Sequence, residues 1–295
     1  MLKVVKFKGG LGNQLFQYTF LLNLKRICSR EVIKGDFSYY KNLRGDNIRV
    51  PRIKELSIDI DEATNDDLQE VLLLRHNSNP KTLTYKAKVF LEKMLNKEYF
   101  FEPDRRYRAV NDLAYYSYFD GYWQSWMYVD SVEDKLKREI RLRKVFSDKT
   151  KRTIERIQTE NAVMLCIRRG DYVATYRSRK HYGTLGTEYY SRAIQYILER
   201  VEHPIFYVFS NDVEWVKRNM EFRGDVVFRN PNDQVSDTEE LFVMGSCKHA
   251  IIGNSTYHWW GAWLIRNNDK IVIAPKKWFA DDKPIDIVPE SWVKL

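Results

Sequence analysis

The segment Val163-Met164-Leu165-Cys166-Ile167-Arg168-Arg169-Gly170-Asp171 decides the fold. Its first five residues are apolar, which is typical of a strand buried on both faces of a parallel sheet. Two arginines follow where that strand ends, and open α/β sheets bind ligands beyond the carboxyl ends of their strands. Because side chains alternate along an extended chain, we expect one guanidinium to face the ligand and the other to support it. Guanidinium groups bind phosphate oxygens in a bidentate manner, so the segment predicts a phosphate-bearing ligand.

Strands and helices alternate regularly around this segment. The apolar runs typical of strands lie at 163–167, 205–209, 226–228, 250–252 and 271–274. The segments typical of helices begin at 149, 187, 213, 236 and 257. This alternation predicts an α/β fold with doubly wound parallel sheets. Three of the strands end in Arg-Arg-Gly-Asp, Ser-Asn-Asp and Asn-Ser-Thr, so we expect polar groups to converge on one edge of the second half.

The first half opens with another strand, turn and helix. A strand at Val4–Phe7 leads through a glycine turn into a helix from about Gln14 to Ile27. The stretch 59–96 has a mostly helical pattern, with 71–74 and 89–91 expected to be buried. A composition change near residue 146 predicts two domains, 1–146 and 147–295, and the last residues are expected to pack back on the first domain.

The segment Gly253-Asn254-Ser255-Thr256 lies between a predicted strand and a helix start. Free backbone N–H groups and the positive end of the helix dipole bind anions at such a position. The alternative is ordinary capping of the helix by Ser255 or Thr256. Arg168 and Arg169 are expected at the same sheet edge, and this favours phosphate binding.

Two further segments carry polar groups suited to a nucleotide ligand. Gly9-Gly10-Leu11-Gly12 resembles a dinucleotide fingerprint without its third glycine, and a simple tight turn explains it equally well. Asn13 and Gln14 follow it and offer uncharged amides at the helix start. Glu240 offers a carboxylate that could accept both donors of a guanine edge. The alternatives are a solvated surface group at Glu240 or the same role for Glu239.

Other residue clusters are better explained as structure. Trp259, Trp260 and Trp263 have the spacing of side chains that pack a helix against a sheet. Asp59-Ile60-Asp61 matches a metal-binding D-x-D pattern but lies in an acidic, loop-like run. No histidine cluster has zinc-ligand spacing, so we expect no metal. His181, His249 and His258 have no evident partner in the sequence, so a structural role is favoured and assistance in proton transfer is the alternative.

Composition limits the classes of function. The net charge of +9 arises from 49 Lys and Arg against 40 Asp and Glu and favours anionic partners. The charges are scattered, and the basic stretch 135–152 is mixed with acids, which favours a solvated helix over a nucleic-acid surface. Attraction to an acidic membrane remains an alternative for that stretch. Three separated cysteines, a strand at the amino terminus and no membrane-length apolar run predict a cytoplasmic protein.

Together these stretches resemble glycosyltransferase family 11, the α-1,2-fucosyltransferases, in a soluble bacterial form. The blocks that carry the resemblance are 9–18, 121–125, 168–173 and 254–264. The resemblance implies a GT-B fold with two Rossmann-like domains facing a cleft. It also implies an inverting transfer of L-fucose from GDP-fucose that needs neither a metal nor a cofactor. The implied acceptor is a galactose-terminated oligosaccharide or lipid-linked glycan, as in O-antigen or surface polysaccharide biosynthesis. Nucleic acid is not an expected partner, and a peripheral contact at the inner face of the membrane stays an alternative to a purely cytoplasmic location.

The resemblance also assigns roles to residues. The family motif H-x-R-R-x-D falls on 166–171, with Cys166 in place of the histidine. Arg168 matches the arginine on the diphosphate, and Asp171 is a candidate base or orienting group. The expected donor-binding residues are Gly12, Asn13, Gln14, Arg168, Arg169, Glu240, Asn254, Ser255 and Thr256. His181 and Trp123 are candidate acceptor contacts. Two alternatives stay open: a GT-B transferase with another nucleotide sugar, and a basic nucleic-acid-binding module.

Overall fold

The structure is a computed structural model that describes residues 1–44, 48–74, 77–169, 176, 180, 183, 185–229, 235–281 and 283–295. The chain forms two compact units. Unit 1 comprises Met1–Arg143 and Pro284–Ile287, and unit 2 comprises Lys144–Lys283 and Val288–Leu295. A short carboxyl-terminal segment thus belongs to unit 1. Within the described residues, no helix is both long and apolar enough to cross a membrane.

Unit 1 contains a four-stranded parallel sheet in the order β2-β1-β4-β3. Its strands are β1 (Leu2–Lys6), β2 (Val32–Asp36), β3 (Tyr99–Phe101) and β4 (Tyr118–Asp120). Its helices are α1 (Leu11–Ile27), α2 (Ser38–Asn42), α3 (Asn65–Val71), α4 (Leu83–Leu95), α5 (Trp126–Asp130) and α6 (Glu133–Glu139), with 3₁₀ turns at Arg52–Glu55 and Val110–Leu113. All five residues of the central strand β1 are buried, including Lys3 and Lys6, whose burial the sequence pattern did not indicate.

Helix α1 begins at Leu11, earlier than the predicted start near Gln14. The turn before it is made by Gly9, whose φ of 83° lies in the left-handed region that glycine adopts without strain. Gly10 occupies the N-cap position. Gly12 and Asn13 are therefore residues of the first helical turn, and the glycine turn is shorter than the sequence pattern suggested.

The stretch 59–96 differs from the prediction in its burial. Val71 and Leu72 are buried, but Leu73 and Phe90 are 60% and 61% exposed. In α4 the buried residue is Glu92, whose carboxylate accepts hydrogen bonds from the Leu74 N–H and the Asn96 side chain. The expectation of buried runs at 71–74 and 89–91 is thus wrong for Leu73, Phe90 and Leu91, because α4 docks through a polar residue.

Unit 2 contains a six-stranded parallel sheet in the order β10-β9-β8-β5-β6-β7. Its strands are β5 (Ala162–Ile167), β6 (Ile205–Ser210), β7 (Asp225–Phe228), β8 (His249–Ile251), β9 (Val272–Ala274) and β10 (Val293–Lys294). Its labelled helices are α7 (Asp148–Thr159), α8 (Thr187–Leu198), α9 (Val213–Asn219), α10 (Asp237–Gly245) and α11 (Thr256–Leu264). The chain adds β6 and β7 on one side of β5 and then β8, β9 and β10 on the other, which confirms the predicted doubly wound sheet.

Both faces of β5 are covered, so its apolar run is continuous. Leu165 and Ile167 pack in a core cluster with Tyr190 and Ile194 of α8. On the opposite face, the Cys166 Sγ lies 3.6 Å from the Met244 Sδ of α10. On α11, Trp259 and Trp260 are fully buried and Trp263 packs edge-on against Trp260, as expected for scaffold side chains.

Candidate functional site

The carboxyl ends of β5 and β8 lie side by side at the point where the strand order reverses. Such a switch point is where doubly wound sheets bind ligands. A Cβ atom added to Gly253 would lie 3.7 Å from the backbone N of Arg168 and 3.4 Å from the carbonyl oxygen of Cys166. Glycine therefore permits the residues after β8 to approach those after β5 closely. The structure thus brings Arg168 and the 253–256 segment to one sheet edge.

The two arginines diverge, as alternation along the chain predicts. The positive charge of Arg168 acts on His258 of α11. The Arg169 guanidinium instead stacks 3.5 Å over the ring of Trp215 in α9, and its Nε lies 3.8 Å from an Asp212 carboxylate oxygen. Stacking on an indole is favourable for a planar guanidinium. Arg169 is therefore held on the α9 side of the sheet, and Arg168 is the arginine on the α11 side.

Helix α11 begins without a hydrogen bond from its N-cap side chain. Ser255 occupies the N-cap position, yet its side chain makes no capping hydrogen bond, and no acidic residue lies in the first turn. The buried Asn254 is fixed by a 2.9 Å hydrogen bond from its Nδ2 to the Trp278 carbonyl. Capping by the Ser255 hydroxyl, the alternative weighed from the sequence, is not what the structure shows. The first turn of α11 thus contributes no acidic side chain to offset the positive end of the helix dipole.

His258 is a residue of this edge that sequence reasoning treated as structural. It is 5% exposed, and its Nδ1 is buried without a hydrogen-bond partner among the described residues. Burial and, second, the charge of Arg168 lower the pKa of His258 to about 3. The imidazole is therefore neutral at physiological pH. Its position three residues after Ser255, on the same side of a helix, was the signal available in the sequence.

The structure separates Glu240 from its competitor Glu239. One Glu239 carboxylate oxygen accepts a 2.8 Å hydrogen bond from the backbone N–H of Ser147. Glu240 lies near α11 instead, with its Oε2 3.5 Å from the Tyr257 hydroxyl. Burial raises the pKa of Glu240, and the nearby Arg229 opposes that shift. Glu240 is thus a half-buried carboxylate beside the start of α11, and its role in guanine binding stays a prediction.

Cys166, which replaces the family histidine, is completely buried. Burial, with a smaller effect of the Glu240 charge, raises the pKa of its thiol well above the usual value. The side chain packs on Met244 rather than presenting a polar group. The position therefore contributes packing between β5 and α10 in this chain.

Gln14 is a correction to the predicted donor contacts. Its side chain is fully buried, and its Nε2 donates to the carbonyls of Gly9 (3.1 Å) and Val50 (3.0 Å). Its Oε1 accepts a 2.9 Å hydrogen bond from the Ile53 N–H. Both ends of the amide are occupied, so Gln14 fixes the 50–53 loop against the glycine turn. Asn13 remains half-buried, and its Oδ1 accepts a hydrogen bond from Gln124.

Trp123 is a second correction, because it belongs to the core rather than to an acceptor surface. It is 1% exposed, and its ring stacks on Phe20 with 3.7 Å between centroids. Its φ of 56° turns the indole inward, and its backbone N–H donates to Glu102. A left-handed residue after Gly121 is not visible in an aromatic-rich sequence.

A polar cluster at the carboxyl edge of the unit 1 sheet escaped sequence reasoning. Asp120 binds the ammonium groups of Lys6 (2.7 Å) and Lys8 (2.5 Å), and these contacts hold its pKa far below its usual range against the opposing effect of burial. Glu102 lies beside them and accepts the backbone N–H of Tyr122 at 2.6 Å. Burial raises the pKa of Glu102 to about 7. A charged residue directly after a strand was the signal that could have identified Lys8 and Glu102.

Two predicted residues, Asp171 and His181, lie outside the described residues, so their roles stay predictions. The Asp59–Asp61 pattern is exposed, and Asp59 forms an ion pair with Arg143. In the part of the chain that the structure describes, no three acidic, histidine or cysteine side chains form a group that could hold a metal ion.

Comparison with known proteins places the chain in a family. The profile of glycosyl transferase family 11 matches residues 2–295. The O-antigen biosynthesis glycosyltransferase WbnK of Escherichia coli is 30% identical over 300 residues, which cover 97% of this chain and 98% of the relative. An alpha-1,2-colitosyltransferase of Escherichia coli is 33% identical over 312 residues, which cover 99% and 98%.

A third relative and one solved structure complete the comparison. Galactoside alpha-(1,2)-fucosyltransferase 1 of Ateles belzebuth is 28% identical over 163 residues, 52% of this chain and 44% of the relative. The fucosyltransferase NodZ of Bradyrhizobium is similar in fold, with a TM-score of 0.50, 10% identity and coverage of 91% and 96%. Two parallel α/β units with this similarity confirm the predicted GT-B fold. The chain therefore belongs to glycosyltransferase family 11.

Proposed function

We propose that the enzyme transfers L-fucose from GDP-fucose to the 2-hydroxyl group of a terminal galactose, on an oligosaccharide or a lipid-linked glycan. The observation that carries the proposal is the close approach of the Arg168 backbone to the segment that opens α11, at the switch point of unit 2. That edge has a cationic side chain, the N-terminal end of a helix and a half-buried carboxylate, Glu240. These groups suit the diphosphate and the base of a guanine nucleotide.

The chemistry follows from where charge develops. The bond between the anomeric carbon and the diphosphate breaks, the bond from the acceptor oxygen to that carbon forms, and the acceptor hydroxyl loses its proton. GDP leaves with increased negative charge on its β-phosphate. Arg168 and the positive end of α11 stabilise that charge in a site already organised for it, which lowers the barrier without a metal ion.

His258 maintains the electrostatics of this arrangement. A protonated imidazole beside Arg168 would carry a second buried positive charge, and its low pKa prevents this. The neutral ring leaves Arg168 as the cation on this side of the edge. Asp171 remains the candidate for accepting the acceptor's proton, with His181 as the alternative.

Guanine recognition is assigned to Glu240. An ionised carboxylate accepts the N1–H and N2–H of guanine together, whereas a uracil base presents no such pair of donors. Glu240→Gln is expected to weaken GDP binding more than UDP binding. The reason is that the amide N–H₂ group of glutamine is a hydrogen-bond donor and cannot accept the N1–H and N2–H groups of guanine. Equal effects on the two nucleotides would remove Glu240 from the proposal.

A second donor has a specific observation in its favour. The similarity to an alpha-1,2-colitosyltransferase extends over nearly the whole chain, whereas the similarity to the galactoside fucosyltransferase covers about half. Colitose is L-fucose without its 3-hydroxyl group, so a site for one sugar differs little in volume from a site for the other. The same edge of unit 2 would hold GDP-colitose in this alternative.

The deciding experiment incubates the enzyme with GDP-fucose, GDP-colitose or UDP-galactose and a β-galactoside, and analyses the products by mass spectrometry and NMR. The proposal predicts a fucosylated product with a new linkage at the 2-hydroxyl group of galactose. Transfer of colitose with little transfer of fucose would establish the second candidate. Transfer from the UDP-sugar alone would contradict both.

A further inference from the structure

Helix α4 of unit 1 exposes large apolar side chains that no described element covers. Leu83 is 83% exposed, Phe90 61% and Met94 68%. Leu91 and Leu95 are exposed as well. Single exposed apolar residues are common, but five on a helix of 13 residues form a contiguous surface that requires an explanation.

The exposed residues form a stripe because of their spacing. Leu83, Phe90 and Met94 are separated by seven and four residues, which places them on one face of a helix. Glu92 lies on the opposite face and anchors the helix through its 2.6 Å hydrogen bond from the Leu74 N–H. The orientation of α4 is therefore fixed by buried hydrogen bonds, and the apolar stripe points away from the unit.

The charges of α4 are all positive where they are exposed. Its basic residues are Lys86, Lys88 and Lys93, and its one acidic residue is the buried Glu92. The Lys93 ammonium lies 3.0 Å from the centre of the Phe101 ring, beside the stripe. An apolar stripe flanked by lysines is the pattern of helices that lie in the interface of an anionic bilayer.

We propose that α4 is the surface through which this protein binds anionic lipid bilayers. The apolar stripe enters the boundary between headgroups and acyl chains, and the lysines pair with lipid phosphates. A second copy of the helix would place lysines against lysines, so the charges disfavour self-association through this face. The exposed charges of α4 are lysines, and an anionic lipid surface offers them a layer of phosphates directly beside an apolar interior.

The basic stretch 135–152 is a poorer membrane surface, although the sequence singled it out. Its lysines are largely neutralised by neighbouring acids: Lys137 pairs with Glu133 and Lys151 with Asp148. Lys135 lies 3.8 Å from Glu139. The proposed membrane surface is therefore α4 rather than this stretch.

The test measures binding of the full-length protein to vesicles by flotation. Vesicles of phosphatidylcholine alone are compared with vesicles that also contain phosphatidylglycerol. Phe90→Ser and Met94→Ser each remove an apolar side chain, with Val145→Ser, exposed at 81%, as the matched control. Lys86→Gln removes a charge on α4, with the exposed Lys144→Gln as its control.

The wild-type protein is expected to float with anionic vesicles and not with neutral ones. Each apolar substitution on α4 should lower vesicle affinity on the order of tenfold, and Lys86→Gln about fivefold. The two controls should bind as the wild type does, and all variants should keep their melting temperature because the changed side chains are exposed.

Three results would overturn the proposal. They are absence of wild-type binding to anionic vesicles, equal binding to neutral vesicles, and unchanged binding of the Phe90→Ser Met94→Ser double variant. A fourth such result could come from sedimentation equilibrium. A wild-type protein that is a dimer, with a monomeric double variant, would make the stripe an interface between copies of the chain. None of these measurements depends on the identity of the donor sugar.

Discussion

His258 offers a quantitative test of the electrostatics at the carboxyl edge of unit 2. Its folded-state pKa of about 3, against an ordinary value of 6.5, means that the unfolded chain binds a proton here more readily than the folded chain. Stability from this residue is therefore fully present above pH 6.5 and is lost as the pH falls toward 3. Linkage with these two values gives a loss of about 3 kcal/mol in the free energy of unfolding between pH 8 and pH 4.5.

The assay compares urea unfolding of the wild type and His258→Asn across this pH range. Trp259 and Trp260 lie on the same helix, so their fluorescence reports unfolding of unit 2. The variant should lack the loss of about 3 kcal/mol, because it has no group to protonate. His203→Asn is the matched control, since the His203 side chain is 91% exposed and its φ of 45° suits asparagine.

NMR of protein labelled at histidine carbons supplies the direct measurement. The signal that disappears in His258→Asn should not titrate between pH 8 and pH 5. Arg168→Gln should shift its titration to higher pH, because the arginine charge contributes to the low pKa. A His258 signal that titrates near 6.5 in the wild type would refute the proposed environment. An unchanged titration in Arg168→Gln would show that the Arg168 charge does not act on His258.

Three further changes test other parts of the structure. A carboxyl group with a raised pKa stabilises the fold only at low pH, so the free energy of unfolding of the wild type should fall by roughly 1 to 3 kcal/mol as the pH rises from 4.5 through about 7. Glu102→Gln should not show this fall in urea unfolding, and equal pH profiles for the variant and the wild type would contradict the assignment. Gln14→Ala should cost about 1 to 3 kcal/mol of stability by leaving the Ile53 N–H unpaired, while calorimetry should show unchanged donor affinity in the folded variant. Gly253→Ala should weaken donor binding measured by calorimetry, because its Cβ would press on the Tyr190 hydroxyl at 3.2 Å and move the segment away from Arg168; wild-type affinity would count against the close approach.

The sequence contained most of the information about unit 2. Five apolar residues before Arg168 predicted a strand buried on both faces, and the structure places β5 near the centre of a doubly wound sheet. Strand alternation also predicted that Arg168 and Arg169 diverge. These features depend on local periodicity, which a single sequence shows directly.

Unit 1 was predicted less well because its side chains have partners that are distant in sequence. Gln14 is buried by bonds to Val50 and Ile53, and Trp123 by stacking on Phe20. The orientation of α4 depends on the buried Glu92, which accepts hydrogen bonds from the Leu74 N–H and the Asn96 side chain. An apolar stripe has the same periodicity whether it faces a core or a solvent, so the sequence could not decide its direction.

The central claim is that Arg168, with the start of α11, stabilises the departing diphosphate. The most direct test is the turnover number of Arg168→Ala with GDP-fucose and a β-galactoside, measured beside Arg169→Ala and after confirming that both variants melt as the wild type does. Loss of one such charge contact should lower turnover by about 10² to 10³ for Arg168→Ala, and the stacked Arg169 should matter less. Near-normal turnover of Arg168→Ala would contradict the claim.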